Sequence, residues 1–519
     1  MLWKPTRLSD RTCYFRFSNA EEDLYLQCSR NIHALNSMAQ TEGSIKGRVT
    51  VYSVIGCPHC LQAKSTLKEL GLPVCDVDIN PHAALRDEVK KLTGRSTVPQ
   101  IFFNNVHVGG NDDLQKMAPE ELQRLVQMVR EQPIPADAPP LPVGNSSDAT
   151  EESGEFMCER DAFADLVEEF KSSGVIGSHR KGLRVCKNSF TGTELVDWLQ
   201  TEKGMDRPKA RELGQGIMER KYFNAVAGKG GFEESSTLFR LLEHDPNAAL
   251  NTGEMAACSP LKASELSEIL RNLILKLYAD HLSSDGKFVD YKAMSQSPFF
   301  EQYCELAVQL QRVELGSLSR EEKLAFFINV YNALVIHGNL RMGIPKNMWQ
   351  RYRFFNYASY LIGGEVFTLQ DIENGVLRGN RKGVAQILKP FSKSDPRLQV
   401  ALPDPEPLIH FALNCGAKGC PPIKTYTPQG IDSQLRSAAE AFLENDDGCL
   451  VDPVKGEVKL SQIFKWYKVD FGGTDEKLLN WILKHMSDSP KKVNLQNLLS
   501  SGSIKVSFMP YDWSTNSKD

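Results

Sequence analysis

Positive charge is not in excess in this chain: 61 Lys and Arg stand against 65 Asp and Glu, a formal net charge of -4. The basic field that a phosphate backbone demands is missing, which excludes nucleic acid as the expected partner. Cysteine is scarce, 12 in 519 residues, far too thin for a disulfide scaffold, so a reducing setting fits best. The chain does not open with the basic start, apolar core and small-residue cleavage site of a signal peptide. Nor is there a long apolar run. The most apolar stretch, Leu324 to Leu340, is broken by Asn329, Asn332 and His337 and falls short of the roughly 20 residues that span a bilayer. A soluble, cytoplasmic protein is expected. Internal repeats are also missing.

What is present is length and seams. At roughly 100–200 residues per domain, 519 residues predict about three domains. The stretch QPIPADAPPLPVGNSSDATEESGE, Gln132 to Glu155, is rich in Pro, Ser and acids and cannot bury enough surface to fold alone. His244 to Ser259 is a second polar, small-residue seam. These divide the chain into a flexible arm (1–46), a first block (47–131), a disordered linker (132–157), a second block (158–243), a linker (244–262), a third block (263–488) and a tail (489–519). Within the arm, Lys4, Arg7, Arg11 and Arg16 against Asp10 give a bias similar to an organelle transit peptide, but Glu21, Glu22 and Asp23 follow.

In the first block, β-branched Val49 to Ile55 predicts a strand, Gly56-Cys57-Pro58-His59-Cys60 a loop, Leu61, Lys64 and Leu67 a helix, and Pro73 to Ile79 a second strand. Cys57 thereby stands at a helix N-terminus, where unsatisfied N–H groups and the macrodipole favour an anion. A thiolate there is nucleophilic at neutral pH, and Cys60 is spaced to attack a mixed disulfide. Pro58 suits the first helical turn. Half a zinc site is the alternative, but it needs two more ligands and no second Cys-x-x-Cys occurs. Leu122, Leu125, Val126 and Val129 mark a closing amphipathic helix.

Cys57-Pro58-His59-Cys60, Thr97-Val98-Pro99-Gln100 and Gly109-Gly110-Asn111-Asp112-Asp113 follow one another as in glutaredoxins, which this block resembles. The resemblance implies an α/β thioredoxin-like fold, a cis proline at Pro99 beside Cys57, and glutathione as cofactor. It implies a glutathione site at Thr97, Val98, Pro99, Gly110, Asn111 and Asp112, with the peptide backbone paired to Val98 and the γ-glutamyl end at Asn111 and Asp112. Strand addition plus capture of a charged terminus is a reasonable physical mode for such a ligand. Where many glutaredoxins carry a basic residue, three before the nucleophile, this chain has Val54; Lys64 is a candidate to compensate, or else part of a solvated helix face. Pro58 and the second Cys look like the electron-transfer type rather than the cluster-holding type, so no metal is expected.

The second block reads as helices around Phe163, Leu166, Val167 and Phe170, Glu194 to Leu199 and Ala210 to Met218, then a strand at Thr237 to Leu242. Phe190-Thr191-Gly192-Thr193-Glu194-Leu195-Val196-Asp197-Trp198-Leu199, with Gly214-Gln215-Gly216 and Leu238-Phe239-Arg240, resembles the DEP domain of Dishevelled and pleckstrin. That implies a winged-helix-like module docking to a signalling protein or membrane. His179, Arg180, Lys181 and Arg184 offer either an anionic-lipid contact or a solvated hairpin tip. Trp198 is expected in the core.

The third block is mainly α (α+β). FFINVYNALVIH, YLIGGEVFTLQDIENGVLR, HFALNCGAKGCPP and FKWYKVDF resemble in order the motifs of domain of unknown function 547. Asn329 and Asn332 must find hydrogen-bond partners if buried. Cys415 as nucleophile, His410 as base and Glu373 as orienter would suffice for acyl transfer, a logic similar to papain-like or transglutaminase-like enzymes. Structural thiols and a core histidine, or metal binding by Cys415, Cys420 and His410, are the alternatives.

The expected function is a glutathione-dependent thiol–disulfide oxidoreductase acting on disulfide-containing proteins, brought to a signalling partner or anionic membrane surface by the second block. The competing readings are a redox-sensing adaptor without turnover and a Cys-dependent acyl-transfer enzyme in the third block.

Overall fold

The computed structural model describes residues 45–142 and 157–518, apart from 55–56, 183, 227–230, 246–248, 317, 385 and 503. The expected arm and its transit-like bias lie, but for two residues, outside the described residues. Contacts divide the chain into two compact units, 1–159 and 160–519.

In unit 1 a four-stranded sheet has the order β2-β1-β4-β5, formed by β1 (Val49–Ser53), β2 (Val74–Asp78), β4 (Gln100–Phe103) and β5 (Val106–Gly109). β1 and β2 are parallel and the other pairs antiparallel. The alternation of a pleated strand sends Val49 and Val51 into one cluster with Ala63 and Leu67 of α1 (Pro58–Glu69) and with Leu125 and Val129 of the closing helix. Tyr52 joins a second cluster with Leu85 and Val89 of α2 (Ala83–Thr93), Val98 and both active-loop cysteines. The short β3 (Thr97–Val98) ends at a cis Val98–Pro99 peptide. Beyond β5, α3 (Asn111–Gln115) and α4 (Pro119–Glu131) complete the α/β unit.

The segment expected as a disordered linker differs from that expectation over its described residues. Pro139 and Pro140 carbonyls accept from Arg48 (2.6 Å) and the Tyr52 hydroxyl, and Leu141 packs beside the Cys57 cluster. Proline has no N–H to satisfy but keeps its carbonyl acceptor, so a Pro-rich strip can be held by side-chain donors without secondary structure. Met157–Cys158 then forms β6, parallel to β3, so Cys158 belongs to unit 1 rather than to the second block.

In unit 2, α5 (Ala164–Ser172), β7 (Gly177–Lys181), β8 (Arg184–Thr191), α6 (Gly192–Lys203), α7 (Arg207–Glu219), β9 (Phe223–Ala225) and β10 (Leu238–Leu241) build the winged-helix-like part around Phe170, Phe190, Trp198, Phe223 and Phe239. The mainly α remainder includes α8 (Ala263–His281) and α9 (Arg320–Met342), the latter buried from Leu324 to Asn339.

Residues 244–262 do not behave as a linker. Asn251 is buried and bonds Ala307 and Leu361. Arg312, also buried, donates to the carbonyls of Ala256 (2.6 Å) and Arg220 (2.8 Å), pairs with Asp161 (3.2 Å) and stacks over Tyr222. One guanidinium thus ties the second and third blocks and the seam between them. The expected tail is structural too: α10 (Pro490–Ser501) buries Leu495 and Leu498, and residues 505–508 extend a three-stranded sheet.

Candidate functional site

Cys57 is the N-cap of α1: its sulfur accepts from the Cys60 amide at 3.4 Å and lies 3.8 Å from the Val98 carbonyl oxygen. Burial pushes its thiol up, but the neighbouring thiols of Cys158 and Cys60, the Cys60 amide and His59 pull it down to about 4. Cys60 moves the other way, raised well above the ordinary thiol range by burial and by the bond to Cys57. The arrangement holds one thiolate and one thiol, the electronic division that thiol–disulfide exchange uses. Lys64 is committed to Asp76 at 2.7 Å, and what it eases is Cys60 rather than Cys57. The thiolate therefore depends on the helix terminus and its neighbours, with Val54 contributing no charge.

Around the cis proline, Val98 is buried and Thr97 exposed. Asn111 is buried and donates to Gln62 (2.8 Å), Asp112 pairs with Lys116 (2.8 Å), and Asp113 accepts from the Gly110 amide (2.8 Å) and from Arg95. The residues expected to meet glutathione lie in β3, at Pro99 just after it, and in the turn from Gly110 into α3.

A second constellation surrounds a cavity of about 310 Å³ in unit 2, lined by Glu373, His410, Cys415, Cys420, Tyr467 and Tyr511 among others. The buried amides expected to need partners build it. Asn332 donates to the Ala412 carbonyl (3.0 Å) and accepts from the Asn414 amide (2.8 Å), while Asn329 clamps Tyr426 in the same way. This fixes the loop that carries Cys415 and Cys420, whose sulfurs are 2.6 Å apart. Cys415 is raised by its bond to Cys420 and by burial. Cys420 is raised by burial but drawn down to about 7 by Cys415, Tyr511 and the Ala417 and Cys415 amides.

His410 Nε2 pairs with Asp470 at 2.9 Å, and Asp470 also receives Arg378 (2.6 and 3.0 Å) and Arg381 (3.0 Å). Burial raises Asp470, but His410 and Arg378 overcome it and hold the carboxyl well below its usual range. Glu373, the expected orienter, is instead held by the hydroxyls of Tyr467 (2.5 Å) and Tyr331 (3.2 Å). It rides on a π-helical turn, Asp371–Leu377, a distortion frequent at functional sites. The expected Cys415, His410 and Glu373 share one cavity, but the carboxylate that orients His410 is Asp470.

Three family models match the chain in order: Glutaredoxin at residues 49–108, the domain found in Dishevelled, Egl-10 and Pleckstrin (DEP) at 175–241, and the protein of unknown function DUF547 at 315–443. Glutaredoxin 3 of Escherichia coli strain K12 is 44% identical over 66 residues, 13% of this chain and 80% of that protein. The chain belongs to the glutaredoxin family. Glutaredoxin 1 of Rickettsia prowazekii is 36% identical over 92 residues, 17% of this chain and 95% of that protein, and the hybrid peroxiredoxin hyPrx5 of Haemophilus influenzae 36% identical over 72 residues, 14% and 30%. These likenesses support thiol–disulfide oxidoreductase chemistry at the level of the glutaredoxin domain.

Sequence reasoning missed Asp470, Arg378, Tyr467 and Tyr511 around the DUF547 cavity, and Cys158 beside the glutaredoxin loop. Tyr467 and Asp470 stand inside FKWYKVDF and Arg378 ends YLIGGEVFTLQDIENGVLR, so the motif segments held the signal. Among the described residues no helix is long and apolar enough to cross a membrane.

Proposed function

We propose that the protein is a glutathione-dependent thiol–disulfide oxidoreductase with Cys57 as nucleophile, brought to its substrates by the DEP domain. The observation that carries this is the division at the helix N-cap, a lowered Cys57 thiol against a raised, fully buried Cys60 thiol. The Cys57 thiolate attacks the glutathionyl sulfur of a mixed disulfide, the substrate leaves as its thiolate with the bonding pair, and the glutathionyl group stays on Cys57. A second glutathione thiolate then attacks that group, and Cys57 is released as glutathione disulfide forms. Val98 and the turn at Gly110, Asn111 and Asp112 offer the backbone edge and the terminal pocket for glutathione. For docking, Arg180, Lys181 and Arg184 are exposed in the β7–β8 hairpin, while His179 is held by Ser189 and Glu194; an anionic membrane surface suits the exposed charges.

The test is glutathione-coupled reduction of a mixed disulfide by the full chain and by Cys57→Ser. Turnover by the wild type that is lost in the variant is expected; no turnover by folded wild type would leave the redox-sensing adaptor. A second reading, thiol-dependent acyl transfer in the DUF547 cavity, is favoured by the His410–Asp470 pair beside two thiols. An acyl probe that labels wild type but neither Cys415→Ala nor Cys420→Ala is its expected signature, and equal labelling of all three proteins would dismiss it.

A further inference from the structure

The edge of β3 is already paired. Met157 and Cys158 run parallel to Thr97 and Val98, in the register Thr97 with Met157 and Val98 with Cys158, and the Met157 amide donates to the Ser96 carbonyl at 3.2 Å. This is strand addition on the residue next to the cis proline, the mode by which a peptide-like ligand is held. The Cys158 sulfur lies 2.6 Å from that of Cys57, only about 0.6 Å beyond a disulfide bond length. Next along the chain, the Glu159 carboxylate lies beside Gly110, 3.6 Å from where a Cβ there would stand. Backbone, sulfur and carboxylate of one tripeptide therefore meet the edge, the nucleophile and the turn.

We infer that Cys158 is the resolving cysteine for Cys57, and that Met157-Cys158-Glu159 is an internal ligand competing with glutathione for the same edge; this rests on the reading of Cys57 as nucleophile. Cys60 has the customary spacing but is wholly buried and holds its proton, which makes it the poorer attacker. Cys158 is only partly buried. Once Cys57 carries a glutathionyl group, Cys158 gives its proton to solvent and attacks the Cys57 sulfur. The Cys57–Cys158 bond forms, the Cys57–glutathione bond breaks, and glutathione leaves as thiolate with the bonding pair. Two glutathione thiolates restore the dithiol: the first takes Cys158 into a mixed disulfide and releases Cys57, and the second removes that glutathionyl group as glutathione disulfide.

The full-length protein is oxidised with glutathione disulfide, quenched with N-ethylmaleimide and mapped by non-reducing peptide mass spectrometry. A Cys57–Cys158 cross-link is expected in wild type and in Cys60→Ser, whereas Cys158→Ser should lose glutathione from Cys57 roughly tenfold more slowly, because an intramolecular attacker has been removed. Wild type that yields only Cys57–Cys60, or that keeps glutathione on Cys57 as stably as Cys158→Ser does, overturns the inference and leaves the proposed function intact. Failure of the glutathione reading looks different: a Cys60→Ser/Cys158→Ser double variant would take up no glutathione at Cys57. In that event oxidation of wild type by diamide, which accepts two electrons and two protons, decides: a Cys57–Cys158 cross-link upholds the pairing, and its absence overturns it.

Discussion

The two sulfur clusters bring sulfurs equally close, 2.6 Å between Cys57 and Cys158 and 2.6 Å between Cys415 and Cys420, and in each the partner sulfur is the first influence that draws the acidic thiol down, but the further donors differ. At Cys57 the acidic thiol caps a twelve-residue helix and receives an amide from its first turn, so the field of a whole element serves one sulfur. In the DUF547 cavity no such terminus is used. Cys420 is drawn down only to about 7, by Cys415 first and then by Tyr511 and two local amides, and it is the later cysteine of its pair that is favoured. The surroundings differ as well. Cys57 faces a strand edge, suited to peptide backbone, whereas the cavity sets its two thiols, His410 and Glu373 among mainly aromatic and apolar side chains such as Trp466, Tyr467 and Trp513. The difference teaches that closeness of thiols does not define their chemistry; the donors around them do.

The strongest way to break the comparison is Cys57→Ser, which should reduce mixed-disulfide turnover to background while acyl-probe labelling of the cavity is unchanged; loss of both would mean the two sites are not separable in function. Next is Asp470→Asn. It leaves Arg378 buried without its carboxylate, and breaking such a pair costs about 3–5 kcal/mol, measurable by denaturant unfolding. An effect below about 1 kcal/mol would put this network in the class of exposed ion pairs. The pH dependence sharpens the contrast. Both thiols are depressed from the ordinary thiol value, so each keeps its reactive thiolate above its own titration point and loses it as pH falls through that point. Alkylation of Cys57 should be halved only near about 4 and that of Cys420 near about 7, read by mass spectrometry after short exposure to iodoacetamide. The smallest effect belongs to Lys64→Ala. Since Lys64 serves Asp76 and Cys60, Cys57 alkylation should change less than roughly twofold, as the removal of a partly exposed ion pair warrants.

The candidate site in the glutaredoxin domain was legible because its parts are short local strings: Cys57 to Cys60 spans one loop and helix turn, Thr97 to Gln100 one bend, and Gly109 to Asp113 one turn. Trp198 was legible as core for a similar reason, standing in an apolar helical pattern. The DUF547 site was half legible. His410 and Cys415 lie in one string, but Asp470 reaches His410 across 60 residues, and no local pattern says which of several acids will be chosen. Glu373 lies nearer to His410 in the chain but is held by the hydroxyls of two tyrosines instead. Cys158 was hidden more deeply, 101 residues from Cys57, just after a stretch whose composition argues against folding. Composition reports what a segment can bury by itself and is silent about a preformed edge that can hold it. The same blindness applies to residues 489–519, whose Leu495 and Leu498 find their core only once the earlier strands exist.

Arg312 has a consequence for inheritance. Its guanidinium is enclosed by Asp161, by the ring of Tyr222 and by carbonyls of Arg220 and Ala256, all contributed by residues upstream of the third block. A recombination event that carried residues 263–519 into another gene without their upstream neighbour would expose a buried cation with nothing to neutralise it. The second and third blocks match separate sequence families, but block 263–519 keeps the partners of its Arg312 only when it moves together with the residues before it, or after Arg312 has first been replaced.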